Sequence, residues 1–324
     1  MGLLATLPRA TTADRRHIVG ASDIAAILGV SPWASPMSVW LRMVGEAEPD
    51  DGHGAEAKAR GNHFESGVRS WTAERIGALE VEAGIPIDEP GVVGSEPWTA
   101  YHPDGAFLLP SGWAIAELKT SRHPDGWGES GSAEIPAHYA LQMAWQLALT
   151  PQVERLVAGV YVTSWDELRT YTVEREVEVE RWLLDEVGSW YWRHIARGDA
   201  PPIDGSASSK SFLSRRFPRG NGLRVEADPE QRALALNWRA AKDRARVAEA
   251  EADHCANLLR ETLGDASDMQ TPEGRVSLID VRGATSLDAA ALREAHPEIA
   301  RAFERQGAAR RDLRWTPASR RKGG

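Results

Sequence analysis

The sequence predicts an α/β (α+β) fold in which one mixed β-sheet is flanked by helices, followed by a helical and β-hairpin C-terminal extension. Three observations carry this. Apolar spacing passes from helical to alternating and back, in the order α–β–β–β–α–β–β–α, before residue 200. The composition shifts at Gly198-Asp199-Ala200-Pro201-Pro202, a run of breakers that marks a boundary. Beyond it, Glu230 to Leu263 is a single helical pattern with a seven-residue repeat. The length of 324 residues accommodates about two domains. We place a core at 1–200, a basic linker at 201–229, and an extension with a basic tail at 230–324.

The elements follow in order. Ser22 to Gly29 reads as a short helix with Ser22 as N-cap and Gly29 ending it. Ser31-Pro32-Trp33 is a turn, and Pro36 to Val44 a second short helix. Ala55 to Ile76 is helical because Phe64, Val68, Trp71 and Arg75 recur at helical spacing. Leu79 to Ile87, Trp98 to His102 and Trp113 to Thr120 read as strands between Gly/Pro turns. A polar loop, Ser121 to Glu134, leads into a helix from Pro136 to Ala148. Val153 to Thr163 and Glu167 to Val173 form a hairpin turning at Ser164-Trp165-Asp166. Val177 to Arg197, with Trp182, Val187, Trp190 and Trp192, closes the core as a helix.

In the extension, Leu234, Trp238, Ala241, Ala245, Ala248, Ala252, Cys255 and Leu259 step alternately by four and three. Small residues in this seam let another helix approach closely, with a helix of the same chain expected ahead of a neighbouring subunit. A hairpin from Asp268 to Val281, turning at Pro272-Glu273-Gly274, a helical stretch from Leu287 to Arg305, and a basic tail complete the chain.

A formal net charge of −9 means that no global basic field announces a nucleic-acid partner. The average conceals two basic segments. Residues 209–224 carry Lys210, Arg215, Arg216, Arg219 and Arg224 with no acid, and residues 305–324 carry seven basic residues against Asp312. Each is a candidate for gripping a phosphate backbone, Arg215 and Arg216 above all, or else a solvated loop. The single cysteine, Cys255, forbids an internal disulfide and a cysteine-ligated zinc or iron–sulfur site, and suits a reducing cytosol. No window reaches the apolar length of a membrane span and no signal peptide opens the chain, so a cytoplasmic protein is expected. No Gly-x-x-x-x-Gly-Lys-Ser/Thr loop occurs, which argues against a fused helicase.

The chemistry lies in Tyr101-His102-Pro103-Asp104-Gly105 and Ala114-Ile115-Ala116-Glu117-Leu118-Lys119-Thr120. On a strand, Ile115, Glu117 and Lys119 project to one face while Ala116 and Leu118 project to the other. A carboxylate and an ammonium therefore stand side by side on an otherwise buried strand. If the preceding strand pairs with this one, Asp104 at its end reaches the same point.

Two carboxylates beside a lysine suit Mg²⁺ or Mn²⁺, hard ions that prefer oxygen ligands. Such an ion polarises a phosphodiester and lowers the pKa of a bound water. The lysine orients or deprotonates that water and offsets charge developing in the transition state. The Leu118 backbone carbonyl is a natural further ligand, and Glu65, beside Phe64 on its helix, a further carboxylate. The competing reading is a buried Asp/Glu/Lys ion-pair cluster. The chain holds its own control: His123-Pro124-Asp125-Gly126 repeats the tetrapeptide, but in a polar loop with no Glu-x-Lys behind it. The nearest look-alike, Glu167-Leu168-Arg169, has Arg where the chemistry wants Lys.

The run from Val19-Gly20-Ala21-Ser22-Asp23 through Gly29-Val30-Ser31-Pro32-Trp33 resembles the opening signature of YqaJ-like viral recombinases, relatives of phage lambda exonuclease. Gly61-Asn62-His63-Phe64-Glu65, His102-Pro103-Asp104-Gly105, Glu117-Leu118-Lys119-Thr120, and Ile135-Pro136-Ala137-His138-Tyr139 with Gln142 follow in the same order. The resemblance spans roughly residues 15–175. It implies a PD-(D/E)XK restriction-endonuclease-like core and two-metal-type hydrolysis of one strand of duplex DNA from its ends, 5′ to 3′, in phage recombination. It assigns metal binding to Asp104 and Glu117, a supporting acid to Glu65 and the catalytic lysine to Lys119. Thr120, Tyr139 and Gln142 line the site in this reading, and Arg15 or Arg16 with Ser22 falls where relatives hold the terminal phosphate. A helix N-terminus at Ser22 is a sensible anion site.

One departure stands out: where relatives often carry a second glutamine, two residues after the first, this chain has Ala144, and Gln146 follows two further on. A ring-shaped homo-oligomer and a single-strand annealing partner are further implications. The alternatives from the residues are a structure- or sequence-specific endonuclease on the same fold, and a non-catalytic DNA-binding or assembly protein.

Overall fold

Strand breaks and helix caps divide the chain into nineteen labelled elements in a computed structural model that describes residues 2–11, 15–46, 55–272, 274–283, 285–304 and 311–316. They are β1 (Val19–Gly20), α1 (Ile24–Ile27), α2 (Pro36–Met43), α3 (Ala55–Ile76), β2 (Glu80–Ala83), β3 (Val92–Val93), β4 (Thr99–Tyr101), β5 (Gly105–Leu109) and β6 (Gly112–Ser121). Then come α4 (Ala137–Ala148), β7 (Arg155–Val162), β8 (Glu167–Glu174), α5 (Val177–Tyr191) and α6 (Ala207–Arg216). The last are α7 (Pro229–Leu263), β9 (Asp268–Thr271), β10 (Gly274–Ser277), α8 (Ala289–Ala295) and α9 (Pro297–Phe303). Contacts group residues 1–212 into one unit and 213–324 into another.

The first unit is built on a five-stranded mixed sheet, ordered β2-β5-β6-β7-β8. Only β6 and β7 run parallel, and α4 provides the crossover that parallel strands require. Central strand β6 is buried on both faces. Ala114 and Ala116 join Ala73 of α3 and Phe107 of β5 in one apolar cluster, and Leu118 joins Val68 of α3. Ile115 belongs to the larger cluster with Met143 and Trp145 of α4 and Leu183 and Val187 of α5. Helix α3 lies directly on the sheet: a Cβ at Gly159 of β7 would fall 2.0 Å from Thr72 Oγ1. This is one mixed sheet flanked by helices, as the sequence predicts. No helix among the described residues is long and apolar enough to cross a membrane.

Several local expectations are corrected. The strand read at Trp98–His102 does not pair with β6. Its core, β4, belongs to a second sheet, parallel to β1 and antiparallel to β3. The partner of β6 is β5, Gly105-Ala106-Phe107-Leu108-Leu109, whose short apolar run lacks the alternation that announces a strand. Ser22 is not an N-cap. It lies inside a 3₁₀ turn, Ala21–Asp23, whose N-cap is Gly20, and the Asp23 carboxylate accepts the Gly20 N–H at 2.8 Å. The stretch read as a linker contains α6, and the helix read from Leu287 to Arg305 is two helices that meet at His296-Pro297. Glu273, Arg305 and the tail residues 306–310 and 317–324 lie outside the described residues.

Candidate active site

The site forms where two strands part. Gly105 is the last β5 residue paired with β6, opposite Ala116. Beyond it β6 continues along β7 as far as the Ser121–Val162 pair. Asp104 stands at this fork, beside Glu117, and its Oδ2 accepts the Leu118 N–H at 2.7 Å. The carboxylate takes the place of the strand that has turned away. Gly105 permits the approach: a Cβ there would lie 2.6 Å from the Glu82 carbonyl oxygen and 3.0 Å from Arg69 Cδ. Arg69 of α3 donates to the Asp104 carbonyl at 3.1 Å and lies 3.6 Å from Glu65 Oε1.

Glu117 is 2% exposed and held from three directions. Lys119 Nζ and, at 2.6 Å, Gln142 Nε2 donate to Oε1, while Gln146 Nε2 donates to Oε2. Gln142 and Gln146 lie one turn apart on α4, so both amides face β6. Lys119 also sits 5.2 Å over the Tyr139 ring, which stacks on Trp127 at 5.2 Å between centroids. A pocket of about 270 Å³ opens onto this fork, lined by Asp104, Lys119, Thr120, Glu65 and Asn62 among others.

The electrostatics follow from burial and crowding. Burial first, and the charge of Glu117 second, push the Asp104 carboxyl up to about 8, with Glu65 adding to the effect. Lys119 and the Leu118 N–H oppose the shift without cancelling it. Burial alone would lower the Lys119 ammonium, but the carboxylates of Glu117 and Asp104 outweigh burial and hold it above the ordinary lysine value. As it stands the lysine is a donor and a positive charge.

The structure brings Glu65, Asp104, Lys119 and Thr120 onto one pocket, with Glu117 behind them and Tyr139 and Gln142 beside them. Ser22 is exposed and lines a separate pocket of about 100 Å³ with Tyr101, His102 and Gln142, so Gln142 borders both regions. Arg16 is exposed in the 3₁₀ turn Arg15–His17, and the Arg15 side chain lies outside the described residues. Arg215 and Arg216 end α6 and fall in the second unit. The repeated tetrapeptide behaves as expected: Asp125 is exposed in a loop.

Two residues went unassigned by sequence. Gln146 has a signal, its four-residue spacing from Gln142. Arg69 has one as well, four residues after Glu65. Gln146→Leu removes a donor from a buried carboxylate; if Glu117 holds a cation for DNA hydrolysis, as the sequence leads one to expect, the rate should slow by about ten- to a hundredfold. Rates on linear duplex with a circular-dichroism control check this; an unchanged rate would leave Gln146 a packing residue.

The donor set suits an oxygen-preferring cation. Among the described residues Asp104 Oδ1 takes no hydrogen bond, and each carboxylate oxygen offers more than one acceptor site. The repulsion between Asp104 and Glu117 is the kind a divalent ion relieves. The acids are nevertheless spread out: among the described residues no three His, Cys, Asp or Glu side chains form a ready-made metal cluster.

Residues 12–152 match the family model of the YqaJ-like viral recombinase domain, a span that includes every acid of the fork and α4. That stretch is similar to a YqaJ-like viral recombinase domain. Uncharacterized protein YqaJ of Bacillus subtilis (strain 168) is 22% identical over 268 residues, 78% of this chain and 77% of that protein. Among solved structures, the alkaline exonuclease LHK-Exo from Laribacter hongkongensis is 17% identical with a TM-score of 0.40, over 62% of this chain and 94% of the other. A phage related exonuclease from Haemophilus somnus 129PT is 13% identical with a TM-score of 0.40, over 56% and 96%. Within the matched span lie β1 to β6 and α4, whereas β7, β8 and the whole second unit lie beyond it.

Proposed function

We propose that this chain is a Mg²⁺-dependent deoxyribonuclease that hydrolyses duplex DNA from its ends, 5′ to 3′, leaving 3′ single-stranded overhangs for phage-type recombination. The observation that carries this reading is the fork at Asp104, where two carboxylates, Asp104 and Glu65, and the Lys119 ammonium line one open pocket with the buried Glu117 behind them. End-directed attack and its polarity rest on the YqaJ-like domain and its resemblance to phage lambda exonuclease.

Asp104 and Glu117 would hold the cation, with the Leu118 carbonyl and Glu65 as further oxygen donors. When bound, Mg²⁺, or Mn²⁺ in its place, polarises the phosphate and acidifies a water. The protein's own part is positional. Gln142 and Gln146 fix the Glu117 carboxylate, and the Leu118 N–H fixes that of Asp104. Lys119 donates toward the phosphate oxygens and offsets the charge that builds there. Thr120 and Asn62 offer polar groups to the strand being cut, and Arg15 or Arg16 with Ser22 the terminal phosphate. Arg215 and Arg216 supply phosphate contacts outside the pocket. An annealing protein that takes up the product strand, and a ring-shaped assembly, complete the reading.

Linear duplex and covalently closed circular duplex, each incubated with Mg²⁺, separate the outcomes. The linear DNA should be degraded progressively and the circle left intact. Nicking or linearisation of the circle would make the chain an endonuclease. Loss of neither would leave a binding or assembly protein.

A further inference from the structure

Helix α7 is well capped and exposed along most of its length, with the Trp315 ring 5.3 Å from the Arg239 guanidinium. The Asp228 side chain accepts the Gln231 N–H at 2.8 Å, and Gly264 ends the helix with φ +52°. Among the described residues the centre of the heptad seam is open: its four alanines and Cys255 are exposed and Leu234 is 71% exposed, while Trp238 and Leu259 toward its ends are half-buried and the one buried residue is Leu263, past the seam. Among the described residues the expected partner helix of the same chain is not seen. A helix this long with an open apolar stripe gains most of its stability from what packs on it.

Charge specifies the partner. The charged positions flanking the seam are Lys242 and Arg244 in its N-terminal half and Glu249 and Glu251 in its C-terminal half; Ala235, Asn237, Ala256 and Leu258 flank its ends. None of the four pairs with an opposite charge among the described residues; the ion pairs on this helix are Arg239–Asp243 and Asp243–Arg246, on its outer face. Flanking charges set orientation in paired helices. In a parallel pair the basic halves lie side by side and only Arg244 meets an acid, Glu249. In an antiparallel pair centred between Ala245 and Ala248, Lys242 faces Glu249 and Arg244 faces Glu251, each twice. The same register sets Leu234 against Leu259, Trp238 against Cys255, and the alanines against one another, so the closest approach falls at the centre where side chains are smallest.

We propose that α7 pairs with α7 of a second copy of this chain, antiparallel, about a two-fold axis between Ala245 and Ala248. Every contact is then made twice, as a self-complementary patch requires. The pairing is independent of the nuclease reading and of any arrangement of the first unit.

The chain's single cysteine supplies the test. Across the axis the two Cys255 thiols stand about 25 Å apart along the helix direction, beyond the reach of a disulfide. Trp238→Cys, in the full chain, places a thiol opposite the partner's Cys255, while the same separation bars closure within one helix. Mild oxidation should link Trp238→Cys into a dimer and leave the unmodified chain unlinked. Linkage of the unmodified chain through Cys255 would mean parallel pairing and overturn the proposal, as would absence of linkage in Trp238→Cys.

Because that variant also loses a large side chain, charge exchange gives a second reading. Lys242→Glu with Arg244→Glu should weaken self-association, measured by sedimentation equilibrium, by about a hundredfold. Adding Glu249→Lys and Glu251→Lys to the same chain should restore it. A two-fold association step that is indifferent to these exchanges, or absent from the unmodified chain, would exclude the pairing; a ring held by other contacts would persist in every variant and is read apart from that step by its stoichiometry.

Discussion

On the proposed function, Lys119→Met should lower Mg²⁺-dependent hydrolysis of linear duplex by at least about a thousandfold and leave the chain folded. Methionine keeps most of the lysine stem in a largely buried position but removes the charge that faces Glu117 and the pocket. Glu117 retains its two amide donors, so the carboxylate is not stripped of partners and the fork keeps its shape. The loss therefore falls on charge stabilisation during phosphoryl transfer. Binding of Mn²⁺, followed by calorimetry, should persist in the variant while turnover disappears. Cleavage at the unmodified rate would show that the lysine serves only to neutralise a buried acid.

Asp104→Asn has two opposite effects. It should abolish the proposed cleavage, because it removes the charge of a proposed cation ligand, and it should stabilise the metal-free protein at alkaline pH. Burial and the neighbouring Glu117 push the Asp104 carboxyl to about 8, well above the ordinary value of 3.8 that it regains on unfolding. The folded state thus binds this proton more tightly than the unfolded one. The stability contributed is fully present below about pH 4 and is lost as pH rises toward 8. Asparagine carries no charge at any of these values, and its carbonyl oxygen still accepts the Leu118 N–H. Thermal midpoints without metal should fall between pH 5 and pH 8 more steeply for the unmodified chain than for Asp104→Asn. Added Mn²⁺ should raise the midpoint of the unmodified chain alone. Parallel pH profiles, or equal stabilisation of both by Mn²⁺, would contradict a carboxylate poised for a cation.

Both outcomes depend on a fork that was only partly legible in the sequence. The side-chain alternation of β6 put Glu117 and Lys119 on one face, and the structure places α4 with its two glutamines over that face. Strand β5 was hidden because both its faces are covered, so Gly105 to Leu109 shows no alternation. Asp104 was therefore read at the end of one strand when it precedes another. That Gly105 matters is visible from its place after Asp104, but the Glu82 carbonyl it must pass is brought there by strand pairing alone. The preference of serine for helix N-caps misled at Ser22, where Asp23 reaches back to the Gly20 N–H instead. The seam of α7 was plain from spacing, whereas its exposure is a property of the folded chain.

The central claim is hydrolysis of duplex DNA from an end by the Asp104, Glu117 and Lys119 fork. A time course on linear duplex labelled at the 5′ or the 3′ terminus, with Mg²⁺ or with EDTA, addresses it most directly. With Mg²⁺, the 5′ label should be released as mononucleotide from the first minutes while the 3′-labelled strand shortens progressively, and EDTA should stop both. Full-length labelled strands after prolonged incubation with Mg²⁺, or digestion that continues unchanged in EDTA or in Lys119→Met, would contradict the account.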